Sequence, residues 1–331
     1  GDFRDTERHL SRTGRRLVTL GGEELNMPWT VSEPDVVCAR ERFSRPLEAL
    51  ALGEVAAIVL RGVFEPSSCS SLVDRLIERG HLYDPREPVP DKFLSAAVPE
   101  GFFSRATAEE SIGIEHYRQQ TRREHVRIDI GTSLGYRGED REAFFDHSRQ
   151  TRELFSRLFD KDCDPVSLIY GRLQELSVDK KVQTARESDG SLYGPAILRA
   201  HYGGYAYAPH FDSVRLREKR SGYAVHSFEH QFAGVLVLQN TSVGDRTAQG
   251  IIHRCPWEPE VDPCLEAGTF HDYAAEKGIE QAEVVLEPGD LYFFNTRMIH
   301  EVPGLAGVDP RIVLATFIGY SSDREEIFVW S

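Results

Sequence analysis

Five positions in this chain have residue types and spacing that could do chemistry: His210-Phe211-Asp212, then His300, then Arg311. Two imidazoles and one carboxylate are the set that grips non-haem Fe(II) on one face and leaves the opposite coordination positions open for oxygen chemistry. That makes His210, Asp212 and His300 the candidate metal ligands. The fork of a guanidinium suits a carboxylate, so Arg311 is placed to anchor a dicarboxylate cosubstrate.

These residues must be positioned by strands. Residues i and i+2 of a strand point to the same side, so His210 and Asp212 can both face a barrel interior while Phe211 packs outward or into the neighbouring wall. The third ligand has to come from a distant strand. Val284-Val285-Leu286 and Leu291-Tyr292-Phe293-Phe294 flank Glu287-Pro288-Gly289-Asp290, a turn sequence, and together predict a hairpin that His300 follows closely. Arg311 opens a further strand, Ile312 to Phe317. With 12 histidines in an acidic chain, composition alone yields roughly two His-x-Asp/Glu triplets, so the triplet alone is a weak signal. The flanking Tyr202-Gly203-Gly204, Pro209 and Gly289-Asp290 make the conjunction stronger.

The segment from Tyr202 to Asp212 resembles the ligand strand of prolyl-4-hydroxylase-type Fe(II)/2-oxoglutarate dioxygenases, in which an aromatic-Gly run leads into Pro-His-x-Asp. A wider similarity, from about residue 55 to the C-terminus, is to the carrier-independent halogenases of hapalindole and welwitindolinone alkaloid biosynthesis. It is carried by Ala57 to Phe64, by Tyr193-Gly194-Pro195-Ala196 and by Ile318 to Ser331 with its Phe328-Val329-Trp330-Ser331 ending. In those halogenases a Gly replaces the carboxylate, which leaves an iron position for chloride. Here Asp212 is present, and a carboxylate at that position neutralises one iron charge and blocks halide. The departure predicts a hydroxylase.

The resemblance implies Fe(II) held by His210, Asp212 and His300, with 2-oxoglutarate and O2 as cosubstrates. Arg311 would meet the distal carboxylate of 2-oxoglutarate, with Thr316 and Tyr207 as further hydrogen-bond donors. Ile128 to Tyr136 is similar to the halogenase segment bordering the substrate, which makes Ile130, Thr132 and Leu134 candidate substrate contacts, together with Phe211 and Arg215. The loop from Ser213 to Glu229 carries Arg215, Arg217, Lys219 and Arg220 and follows the ligand pair directly. It could close over the pocket or remain a solvated basic loop.

Composition narrows the partners. The chain has 331 residues, enough to bury a substantial core. A net charge of -14 argues against a nucleic-acid backbone as partner. No apolar run approaches the length that spans a bilayer, and the polar start Gly1-Asp2-Phe3-Arg4 lacks a secretory core, so a cytoplasmic location and a small-molecule substrate are expected. Oligomeric state is not addressed by the sequence. Five cysteines without a zinc spacing read as reduced thiols, although His253-Arg254-Cys255 invites thought of a second metal site.

Along the chain, residues 1–50 are polar and broken by Pro28, Pro34 and Pro46, which predicts an extension packed on the core. The dioxygenase domain then covers 51–331, with helical covering or lid elements within 82–180. A strand is expected over Ala56 to Leu60 and a helix after a Ser67-Ser68 cap, with Leu72, Val73, Leu76 and Ile77 on its buried face. Further helices are expected from Arg141 and after Asp164-Pro165. Strands are expected at Ile197 to Tyr202, Phe232 to Leu238, Ala282 to Leu286, Leu291 to Phe294, Ile312 to Tyr320 and Ile327 to Trp330. The fold class is therefore α+β: a double-stranded β-helix, jelly-roll and cupin-like, with covering helices.

The leading functional reading is hydroxylation of an unactivated C–H of a small specialised metabolite, amino-acid-derived or alkaloid-like. A protein-side-chain hydroxylase of the prolyl type would need a long peptide groove. Desaturation or cyclisation would use the same iron centre, and a non-enzymatic binding module would not need all three ligands.

Overall fold

Runs of Val, Ile, Leu and Phe dominate the chain beyond residue 180, and they form most of two largely antiparallel sheets that face each other. The computed structural model describes residues 29–94, 103–106, 127–160 and 163–331, with the short pairs 19–20 and 23–24. Most of the expected extension over 1–50, and residues 95–102 and 107–126 of the expected lid, lie outside the described residues.

The small sheet runs in the order β9 (Gln281–Val284), β8 (Gly250–Pro256), β11 (Met298–Val302) and β6 (Tyr207–His210). The large sheet runs β1 (Ile58–Leu60), β10 (Leu291–Asn295), β7 (His230–Gln239), β12 (Arg311–Tyr320), β5 (Ile197–His201), β3 (Arg127–Ile130) and β2 (Phe103–Ala106). The far half of β12 pairs with β13 (Glu326–Trp330), and β4 (Lys181–Thr184) lies parallel to β13.

Alternation along β12 assigns the two faces of the large sheet. Val313 packs with Val235, Tyr292 and Phe294, and with Ile252, Val284 and Met298 of the small sheet, so this face looks across to it. Ile312, Leu314 and Ile318 point the other way, into a core shared with helices. Those helices are α3 (Pro66–Glu78), α4 (Arg141–Leu158) and α5 (Pro165–Ser177), which contribute Leu72, Leu76, Leu154, Leu158, Ile169 and Leu173. Two short helices, α1 (Val36–Arg42) and α2 (Pro46–Ala51), lie against α5.

Local chemistry starts the helices. Asp140 and Asp164 accept from the backbone N–H of Ala143 and Val166 at 3.0 and 2.9 Å, and Pro165 sits in the first turn, where its missing N–H costs nothing. Helix α3 begins at Pro66 after Glu65, ahead of the Ser67-Ser68 expected to cap it. Among the described residues no helix is long and apolar enough to cross a membrane.

One expectation is corrected. The runs on either side of Glu287-Pro288-Gly289-Asp290 are not a hairpin: β9 belongs to the small sheet and β10 to the large one. Asp290 accepts from the backbone N–H of Gly62 at 2.9 Å and pairs with Arg61 at 2.8 Å, which draws the outgoing strand to β1. Gly289 has φ +95 there, and a side chain would stand 2.2 Å from the carbonyl oxygen of Phe64. The turn is a crossover between walls.

Candidate metal centre

His210 and His300 are brought together by strand register. Strands β6 and β11 pair antiparallel with His210 directly opposite His300, and the two rings stand 4.3 Å apart between centroids. Asp212 lies just beyond the end of β6, so the expected strand stops at His210. Its backbone is fixed instead by the two-residue turn between β10 and β11. The N–H of Asp212 donates to the Thr296 carbonyl at 3.0 Å, and the Thr296 hydroxyl donates to the Asp212 carbonyl at 2.8 Å.

The three side chains converge as acceptors. Asp212 Oδ2 is 3.6 Å from His210 Nε2 and 3.4 Å from His300 Nε2. Each imidazole turns its Nδ1 to a carbonyl two residues earlier in its own strand, Ala208 at 2.7 Å and Met298 at 2.8 Å. A carbonyl only accepts, so Nδ1 carries the hydrogen and the Nε2 lone pairs are left facing the carboxylate. Burial, followed by the neighbouring His210, holds the His300 imidazole below its usual range, which favours the neutral ligand form. Burial alone would raise the Asp212 carboxyl, but positive charge and hydrogen-bond donation from the side of His210 and His300, a role a bound cation would take over, hold it well below the usual carboxylate range. With both rings neutral, two Nε2 lone pairs and a carboxylate oxygen within 4.8 Å of one another form a site that fits a cation.

The other oxygen of Asp212 has a partner that sequence reading left in a generic basic loop. Arg217 Nη1 donates to Asp212 Oδ1 at 3.1 Å and to the Phe211 carbonyl at 2.7 Å. That clamp leaves Oδ2 turned to the histidines. Arg215, by contrast, is exposed on the loop surface.

The cavity in front of the triad is walled by both sheets. Its lining includes Ile197, Arg199, Val235, Phe294, Arg311 and Val313. Arg311 is 6% exposed and, among the described residues, meets no carboxylate. It instead approaches the Tyr292 hydroxyl, whose pKa burial raises and the guanidinium lowers. A buried guanidinium without a counter-charge fits a carboxylate ligand. Tyr207 also lines the cavity, where its hydroxyl meets His201 Nε2 at 2.8 Å. Burial and the cations of Arg311, Arg127 and Arg199 hold the His201 imidazole well below its usual range.

The side chains of several expected contacts pack against other partners, and strand alternation explains the two that lie on strands, Thr316 and Ile130. Thr316 borders the cavity but sits one position out of phase with the row Arg311, Val313 and Ala315. Its hydroxyl lies on the helix-facing side beside Phe293 and donates to the Gly234 carbonyl at 3.2 Å. Ile130 joins the helix-packed core, while its neighbours Arg127 and Asp129 form a buried ion pair with contacts of 2.9 and 2.5 Å. Leu134 packs with Phe144, Tyr193 and Trp330, and Thr132 is fully buried near Gly194. Phe211 stacks on Trp257 at 4.5 Å, on the outer side of the small sheet with Cys255 and Ile299, as expected for packing outward, and with His210, Arg217 and Trp257 it lines a second cavity there. The period-2 pattern through Leu198-Arg199-Ala200-His201 was the available signal for Arg199 and His201.

Comparison with known proteins identifies the family of the chain. Residues 39–331 match the family described as carrier-protein-independent halogenase WelO5. No curated protein matches the chain. Among solved structures, an N-substituted L-amino acid dioxygenase from Burkholderia ambifaria AMMD is similar at 15% identity, over 86% of this chain and 90% of that one, with a TM-score of 0.51. The likeness at that identity bears on the fold. The non-heme alpha ketoglutarate dependent epimerase SnoN from nogalamycin biosynthesis is similar at 12% identity, over 87% of each chain, with a TM-score of 0.42.

Proposed function

Because the chain belongs to the family of the carrier-protein-independent halogenase WelO5, and so to the Fe(II)/2-oxoglutarate-dependent oxygenases, we propose that it hydroxylates an unactivated C–H of a small specialised metabolite. The balance is R–H, 2-oxoglutarate and O2 giving R–OH, succinate and CO2. We read the two facing sheets as the walls of a double-stranded β-helix, with the reaction between them.

The observation that carries the reading is the Asp212 carboxylate set between His210 and His300. When bound, iron with 2-oxoglutarate supplies the oxygen activation that the side chains themselves lack. The chain's own residues do the rest. His210 and His300 present their Nε2 atoms, each ring held by its Nδ1–H on the Ala208 or Met298 carbonyl. Asp212 contributes a negative charge that occupies the position a halide would need, and Arg217 keeps it oriented. Arg311 receives the distal carboxylate of 2-oxoglutarate beside Tyr292 and Tyr207. Ile197, Val235, Val313 and Phe317 give the cavity an apolar wall, which suits a hydrocarbon scaffold and excludes water from the reacting carbon.

The test is mass spectrometry of the iron-loaded protein incubated with 2-oxoglutarate, isotopically labelled O2, chloride and a metabolite extract. A product heavier by one labelled oxygen, with succinate formed in step, supports the proposal. A chlorinated product, or succinate that no metabolite stimulates, contradicts it.

A further inference from the structure

A second cluster of metal-ligating side chains lies on the outer face of the small sheet, behind the iron strand. Register creates it. Ile252 pairs with His300 and Ile251 with Glu301 across β8 and β11, so the residues adjacent to the inward-facing pair, His253 and Glu301, share the opposite face as diagonal neighbours. His271 reaches the same place from the first turn of α6 (Phe270–Lys277).

The geometry points to a second divalent-cation site formed by His253, His271 and Glu301, of the two-imidazole, one-carboxylate kind that takes Zn(II). Glu301 divides its two oxygens between the imidazoles: Oε1 is 2.8 Å from His253 Nε2, and Oε2 is 3.3 Å from His271 Nε2. One ligand atom from each of the three residues lies within 4.8 Å of the others. His253 is 1% exposed and its Nδ1 has no partner among the described residues, so its polar contact runs through Nε2, the atom facing Glu301. Phe270 packs edge-on to its ring at 4.9 Å between centroids and fixes the ring plane.

Access comes from one side. Glu301 and His271 border a cavity whose other walls include Leu265, Gly268, Phe270 and Pro303. Three protein ligands leave a fourth tetrahedral position for water or a small ligand, and that position would open to this cavity. Mixed nitrogen and oxygen donors suit Zn(II) better than the all-oxygen shells of Mg(II) or Ca(II). An ion here would fasten α6 to the strand that carries His300. The site is separate from the triad on the inner face and stands whether or not the proposed hydroxylation is correct.

The experiment is metal stoichiometry by mass spectrometry, on tag-free chain stripped with chelator and equilibrated with Zn(II) alone. Wild type is expected to bind two zinc ions per chain, one at each site, and His271→Ala and Glu301→Gln one each. Because His271 is exposed, its replacement should leave folding intact, which a thermal melt of the metal-free protein checks. In an Asp212→Ala background, added zinc should raise the melting temperature, and that rise should vanish when His271→Ala is included. A single zinc in wild type that survives in His271→Ala, two zinc ions surviving in His271→Ala, or a zinc-induced shift that does not depend on His271 would each overturn the proposal.

Discussion

His210 and His300 face each other as a register pair across β6 and β11, and each is tethered by its Nδ1 to the carbonyl two residues before it. The symmetry follows from strand geometry. Residues i and i−2 lie on one face, so an inward imidazole can reach back along its own strand for an acceptor. Both metal-facing nitrogens are thereby set without help from any other side chain.

Arg311 is the buried cation whose missing counter-charge the cosubstrate would supply. Arg311→Leu should weaken 2-oxoglutarate binding by about 3 kcal/mol or more, the usual cost of removing one member of a desolvated charge pair. Anaerobic titration of the Fe(II) protein with 2-oxoglutarate reads this directly. An unchanged affinity would move the role to another cation, with Arg199 next in the lining.

In the proposed iron site Arg217 would act on the metal through Asp212, to which it donates at 3.1 Å. Its loss frees the carboxylate to turn, and removal of such a supporting partner commonly costs about 10- to 100-fold in metal affinity. Arg217→Ala should show that loss in an Fe(II) titration, while Arg215→Ala, exposed on the same loop, should not. Equal effects would reduce Arg217 to one charge among several.

Thr296 ties the turn between β10 and β11 to the Asp212 backbone at 2.8 Å and also approaches the Gln231 carbonyl at 3.0 Å. Thr296→Val keeps the shape and removes the donor, so it should destabilise the fold by about 1–2 kcal/mol. Chemical unfolding measures the difference. Stability equal to wild type would show that the N–H of Asp212, donating to Thr296, is sufficient alone.

His201 predicts a pH dependence. Its folded imidazole is held well below the ordinary range, first by burial and then by the neighbouring cations. As pH falls below about 6.5 the unfolded chain takes up a proton that the folded chain does not, so stability declines by up to about 1.4 kcal/mol per pH unit from this group. His201→Gln should lose less stability than wild type between pH 7.5 and 5.5, by on the order of 1 kcal/mol. Parallel losses in urea unfolding would remove His201 from the acid response.

The sequence was legible where a period or a turn residue leaves little choice. The strands at 197–201, 230–239 and 311–320 and the helices at 141–158 and 165–177 follow apolar patterns that few other arrangements could bury. Gly250–Pro256 and Met298–Val302 were less visible, because His, Arg and Glu interrupt their apolar positions. Those polar residues serve the two faces of the small sheet. The crossover at Gly289 looked like a hairpin because turn chemistry is local, whereas the choice of wall depends on Arg61 and Gly62, which lie far away in the chain. Placing Thr316 and Ile130 required knowing which phase of the alternation faces inward, and only long-range packing decides that. Arg217 carried no sequence signal beyond its place in a basic loop.

The account is tested most directly by anomalous diffraction at the iron edge from crystals grown anaerobically with Fe(II) and 2-oxoglutarate. It predicts one strong iron peak bounded by His210 Nε2, Asp212 Oδ2 and His300 Nε2, lost in Asp212→Ala/His300→Ala. No iron peak among those three atoms, or one there that persists in that variant, would contradict it.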